Sequence, residues 1–146
     1  MSMSEICWRA AGACFMYVGL MHFAAAQVVL PAEAVQLTSS EIEAAFANVR
    51  DDAEVQDGRG GEAVNHWFAD GRFISEWRSA AGRGTVSGYW RAVDDRRCIL
   101  IETGLPERAG AEECTPLYRL GNQYISVNAA GAVHGLHTLS PIVTAD

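Results

Sequence analysis

A chain of 146 residues has room for one domain, and its 49% apolar and 20% charged content is that of an ordinary globular protein. The 18 acids against 11 bases leave a net charge of −7, which argues against wholesale binding of nucleic acid or anionic membrane. Every base is an arginine, so a Schiff-base lysine and a phosphate-loop lysine are excluded by simple absence.

Arg9 precedes an apolar run, Ala10 to Phe23, of signal-peptide length, and Ala24-Ala25-Ala26 supplies the small residues a signal peptidase needs. This predicts a signal over 1–26, with an alternative cut after Ala34 beyond the helix-breaking Pro31. An uncleaved anchor is the rival reading, weakened by His22 and Gln27 within the run. Export would leave roughly 110–120 residues, near the lower size for a self-sustaining core. Cys98 and Cys114 are then the thiols of the mature chain. In an oxidising compartment they pair most simply as one disulfide, worth about 3 kcal/mol for a loop of about fifteen residues, with separate buried thiols as the alternative.

The mature domain, 27–146, opens with a helix signal: Ser40 and Glu43 are spaced as a capping box, Leu37 is placed as a staple, and Ile42, Ala45, Phe46 and Val49 share a face. A helix is expected over about 41–49. Asp51 to Glu62 is acidic and Gly-rich with no apolar period, which predicts a mobile surface connection. Short β-patterned runs then follow: Ala63–Phe68, Arg72–Ser79, Thr85–Val93, Arg97–Glu102, Glu113–Leu120, Gln123–Asn128 and Ala132–Leu139. Gly88 marks a bulge within the third. About seven antiparallel strands with one N-terminal helix predict a mainly β, up-and-down meander, either a strongly curled sheet or a small barrel.

Trp67-Phe68-Ala69-Asp70-Gly71, Gly88-Tyr89-Trp90, the Cys98 and Cys114 pair, and Leu117 to Tyr124 carry a likeness across most of the mature chain. In these the chain resembles small exported bacterial β-proteins of unassigned function, with a capped helix, an F-x-x-D-G turn, a G-x-W strand and a C…C pair in this order. The resemblance implies a lipocalin-like fold and export, and no activity. A thinner likeness links Gly88-Tyr89-Trp90 and Cys98 to bacterial metalloprotease-inhibitor barrels, although here a helix and two strands precede that motif.

Catalytic signals are sparse. His134 and His137 stand three apart on a strand, which sends their rings to opposite faces and disfavours a shared metal. Ser75, Ser87 and Ser126 lie in strand patterns, without a G-x-S-x-G elbow or a recognisable base beside them. Carboxylate pairs such as Asp51-Asp52 and Asp94-Asp95 read as turn residues. No catalytic residue, metal ligand or cofactor is therefore assigned, and the chain is not expected to be an enzyme. Aromatic density singles out Phe73, Trp77, Trp90, Tyr118 and Tyr124 as candidates to line an apolar ligand pocket, with core packing as the alternative. Arg72, Arg78, Arg91 and Arg119 are expected on the outer face, solvated or meeting an anion.

These readings converge on a periplasmic or secreted, non-enzymatic binding or envelope-associated module. Its expected partners are an envelope protein or a small apolar ligand, without nucleic acid, and with membrane contact only through an uncleaved signal. The alternative is a metalloprotease-inhibitor-like protein.

Overall fold

The computed structural model describes residues 27–58 and 60–142. The signal over 1–26 lies outside the described residues; the alternative cut after Ala34 falls immediately before the first strand.

Among the described residues the chain forms strands β1 (Val35–Gln36), β2 (Val49–Val55), β3 (Gly61–Trp67), β4 (Arg72–Ser79), β5 (Gly82–Val93) and β6 (Arg96–Thr103). Strands β7 (Glu112–Thr115), β8 (Leu117–Leu120), β9 (Gln123–Val127) and β10 (Val133–Pro141) follow, and helix α1 (Ser39–Phe46) sits between β1 and β2. One antiparallel sheet runs in the order β1-β8-β9-β10-β2-β3-β4-β5-β6-β7. The mainly β, curled character read from the sequence is present, as an open half-barrel with one helix. The last strand returns to pair with β2 in the middle of the sheet, while β7 and β1 stand at its two edges.

The strand count is ten rather than about seven. Two differences are local: β1 is a two-residue pairing onto β8, and the run Glu113–Leu120 divides into β7 and β8 around Pro116, which lacks a ladder donor. The third matters more. The expected mobile connection after residue 50 contains β2, a seven-residue strand at the centre of the sheet, whose two fully buried positions are Asp51 and Ala53. Asp51 interrupts the alternation of Val49, Ala53 and Val55 along that face, so the strand's hydropathy signal was broken at its centre.

Helix α1 begins two residues earlier than the spacing suggested. Thr38, not Ser40, is the N-cap: its Oγ1 accepts the Glu41 N–H at 3.3 Å, and the Glu41 carboxylate accepts the Thr38 N–H at 2.8 Å. The Thr38 N–H, together with its hydroxyl, which donates to the same carboxylate at 2.9 Å, holds the Glu41 carboxyl below its ordinary value. The β5–β6 turn clamps this end of the helix, because Ser39 N–H donates to Asp95 Oδ1 at 2.8 Å and the Asp95 N–H donates to Ser39 Oγ at 2.9 Å. Ile42 and Phe46 are thereby pressed, fully buried, into a core that also holds Leu37, Trp67, Phe73, Val86, Trp90, Ile101 and Leu117. Trp67 is its hub. It stacks on Phe73 at 5.1 Å between centroids and meets Phe46 and Trp90 edge-on at 6.0 and 6.1 Å.

Two short motifs prove to be parts of one device. The Asp70-Gly71 turn places Gly71 at φ 88°, which its lack of a Cβ permits. The turn then receives Trp90 twice: the indole N–H donates to Phe68 O at 2.9 Å and the Trp90 backbone N–H to Gly71 O at 2.7 Å. The disulfide also forms as expected, with Cys98 and Cys114 directly opposite on β6 and β7, closing the loop that carries the 3-10 turn Pro106–Arg108.

Gly88 sits at a register shift between β5 and β6, as a bulge glycine should, and a Cβ there would lie 2.0 Å from Leu100 O. Gly88→Ala is accordingly expected to destabilise the domain by about 3 kcal/mol or more, against about 1 kcal/mol for Gly110→Ala, which has φ 79° but open space around it. Urea unfolding midpoints of the two variants check the contrast.

Candidate functional site

The interior holds a polar cluster that the hydrophobic pattern did not announce. On the inward face of β2, Asp51 is paired in register with Asn65 of β3, and Trp67 stands two residues further along that strand. On β10, His137 is opposite Ala53, one inward position from Asp51, and on β9, Ser126 is opposite Gly135. Inward positions two residues apart on neighbouring strands are diagonal neighbours, so these side chains meet.

The Asp51 carboxylate is fully buried and is ringed by donors. Asn65 Nδ2 donates to Oδ2 at 2.9 Å, and the Trp67 indole Nε1 donates to the same oxygen at 3.0 Å. His137 Nδ1 lies 3.0 Å from Oδ1 and 2.9 Å from Oδ2. The other ring nitrogen, Nε2, is 2.9 Å from Ser126 Oγ. Burial alone would push the Asp51 carboxyl up. The hydrogen bond and charge of His137, the Trp67 N–H and the Arg97 cation outweigh it and hold the carboxyl below its usual range.

Arg97 of β6 is the countercharge. It is 5% exposed, and its guanidinium lies over the rings of Trp67 at 4.4 Å and Phe46 at 4.9 Å. Its Nε and Nη1 are buried without a hydrogen-bond partner among the described residues. Burial draws its pKa down to about 10, with the Asp51 charge opposing that shift. The core thus contains a charged carboxylate and a charged guanidinium joined through an aromatic sandwich.

The five aromatic candidates are distributed differently from a pocket lining. Phe73 and Trp90 are buried in the core, and Tyr124 is half-buried and edge-on to Phe46 at 5.6 Å. Tyr118 points to the other face from Leu117, its register partners being Gln36 and Ile125. Trp77 lays its indole over Gly84, where a Cβ would come within 3.0 Å, and its Nε1 is buried without a partner among the described residues. Phe46 from the apolar face of α1, Trp67 of the turn motif, and Arg97, which the sequence did not single out, fill the space between them.

The outer face of the sheet carries an open trough of about 830 Å³ across β10, β2, β3, β4 and β5. Register defines its floor. One row reads Thr138, Asp52, Val64, Glu76, Thr85, and the next reads Glu54, Glu62, Arg78, Arg83. In the second row like charges stand directly opposite, Glu54 facing Glu62 and Arg78 facing Arg83, and only the central pair, Glu62 with Arg78, is an ion pair. The outer arginines behave as expected in part: Arg72, Arg78 and Arg91 are exposed and pair with Asp70, Glu62 and Glu112.

The chain matches no known protein family, curated protein or solved structure.

His134 lies on the exposed side of β10 and does not join the cluster, in keeping with the opposite-face expectation for it and His137. Ser126 and His137 were each seen in the sequence but not together. The signal that would have joined them is hairpin register: pairing β9 with β10 places Ser126 two residues diagonally from His137. Asp51 was hidden by the reading of β2 as a loop.

Asp51→Asn should cost about 3 kcal/mol at neutral pH, because it leaves Arg97 without its countercharge and sets an amide against the His137 donor. The sign of the pH dependence follows from the lowered carboxyl. The stabilisation from ionised Asp51 is complete above the unfolded value, about 3.9, and is lost as pH falls through the folded value. Urea unfolding should therefore show the gap between wild type and Asp51→Asn narrowing only below about pH 4.

Proposed function

We infer that this chain is an exported, envelope-associated binding module of the small β-protein kind it resembles, and that it meets a polar partner through the outer trough. The row Glu54, Glu62, Arg78, Arg83 carries this reading. Like charges directly opposite on neighbouring strands are destabilising, by up to about 1 kcal/mol per pair, and nothing in the fold requires them. A partner presenting bases over β2 and β3 and acids over β4 and β5 would relieve both repulsions. Charge order of this kind sets specificity and encounter rate more than raw affinity. The interior supports an apolar ligand less well, since Phe73, Trp77, Trp90 and Tyr124 are packed into or against the core, Phe73 and Trp90 on Trp67 and Tyr124 on Phe46 of α1. A disulfide and the absence, among the described residues, of a helix long and apolar enough to cross a membrane are compatible with a periplasmic or extracellular location.

A second reading, the inhibitor-like one, draws on the segment before Thr38. Val28, Val29 and Val35 are among the exposed large hydrophobics of the molecule, at 43%, 81% and 64% exposure. The segment is ordered against the domain, with the Val133 N–H donating to Val28 O at 2.9 Å. An apolar arm of this form could enter a partner's cleft.

The test is native mass spectrometry on protein exported to, and recovered from, the periplasm after mild cross-linking. The expected product starts at Gln27 or Val35, carries one disulfide, and forms a cross-linked species that Glu54→Arg with Arg83→Glu abolishes. A chain retaining its first 26 residues in the membrane fraction, or a cross-linked species unaffected by that charge swap, contradicts the reading.

A further inference from the structure

We propose that Ser126 is a base-activated nucleophile, with His137 as its general base and Asp51 as the residue that positions the base, acting on esters of small acyl groups. This goes beyond partner binding and reopens the catalytic role that the sequence left unassigned.

The polarity of the hydrogen bonds carries the proposal. An ionised carboxylate only accepts, so in the neutral His137 ring the proton sits on Nδ1, facing the two Asp51 oxygens at 3.0 and 2.9 Å. Nε2 is then a bare lone pair, 2.9 Å from Ser126 Oγ, and the serine hydroxyl donates to it. That is the direction needed to draw a proton off a hydroxyl as it attacks. Asp51 is itself held by Asn65 and Trp67, so the ring cannot turn without breaking a network anchored on three strands.

Gly135 supplies a second observation. A Cβ at this position would lie 2.9 Å from both His137 Nε2 and Ser126 Oγ. Any residue other than glycine would push its Cβ into the serine–histidine junction, so Gly135 lets the backbone of β10 pack directly against it. Ser126 and His137 are 4% and 5% exposed, which restricts the substrate to a small acyl group.

The step balances as follows in atoms and protons. Ser126 Oγ bonds to the ester carbonyl carbon while His137 Nε2 takes the hydroxyl proton. The bond from that carbon to the alcohol oxygen breaks, and Nε2 returns the proton to the departing alcohol. Water then attacks the acyl-serine by the same route, releasing the carboxylic acid and restoring Ser126.

The experiment treats the full mature protein with diisopropyl fluorophosphate, a small probe, and follows intact mass and the modified peptide. The expected result is one adduct, on Ser126, formed about 100-fold or more faster than on any other serine. Ser126→Ala, which removes one hydroxyl, still folds, with a lowered melting temperature, and gives no adduct, and His137→Gln slows labelling about 100-fold. p-Nitrophenyl acetate is hydrolysed above the buffer rate by wild type and not by Ser126→Ala. An absent adduct, an adduct on another serine, or labelling without ester hydrolysis overturns the assignment. If His137→Gln does not fold, the wild-type rate decides alone, and labelling of Ser126 no faster than that of the other serines overturns the role of the base.

Discussion

A carboxylate with no exposure to water sits at the centre of this molecule, and its surroundings are organised to keep it charged. Asp51 accepts from Asn65, Trp67 and His137, residues on β3 and β10, the two strands that flank β2. Burying a lone carboxylate would cost several kcal/mol, enough to remove most of the stability of a domain this size. The hydrogen bonds and the Arg97 cation offset that cost, and in doing so they fix which strands lie beside β2. The return of β10 to the middle of the sheet is, with the short β1–β8 pairing, one of two non-local steps in the topology, and the His137 to Asp51 contact spans it, joining residues 86 apart in sequence.

The same constraint shapes the aromatic core. Trp67 both donates to Asp51 and forms the platform for the Arg97 guanidinium, so the polar and aromatic parts of the interior share one side chain. Phe46 covers Arg97 from the helix side, and α1 is held in place for this by the exchange of hydrogen bonds between Ser39 and Asp95. Charge that faces water obeys different rules. The exposed pairs Arg50 with Asp52, Arg72 with Asp70 and Arg91 with Glu112 are screened by water, and their role is surface order rather than folding. Where outer charges are set like against like, as in the trough, a demand other than folding is the simpler account.

Much of the frame was legible because turns and alternation are local. The Asp70-Gly71 turn, strands β3 to β6, the bulge at Gly88 and the paired cysteines could each be read from a few neighbouring residues. Strand β2 could not, because Asp51 breaks the run of Val49, Ala53 and Val55 along its inward face and makes the segment look like an acidic loop. That one substitution of an acid for an apolar residue concealed both the strand and the site. Ser126 and His137 looked like isolated polar residues on strands, and only the register of β9 against β10 brings them together. Arg97 stood in a strand beside Arg96, and only curling of the sheet under α1 decides which of the two is buried.

The most direct test of the central claim is the protonation pattern of the His137 ring, read from nitrogen-15 chemical shifts and long-range couplings in the neutral form. If ionised Asp51 organises the interior, the proton resides on Nδ1, Nε2 carries none, and replacing Asp51 by Asn shifts the ring signals. A ring protonated on Nε2 and bare at Nδ1 would mean that the carboxylate does not hold it, and the account of the core built on Asp51 would fail.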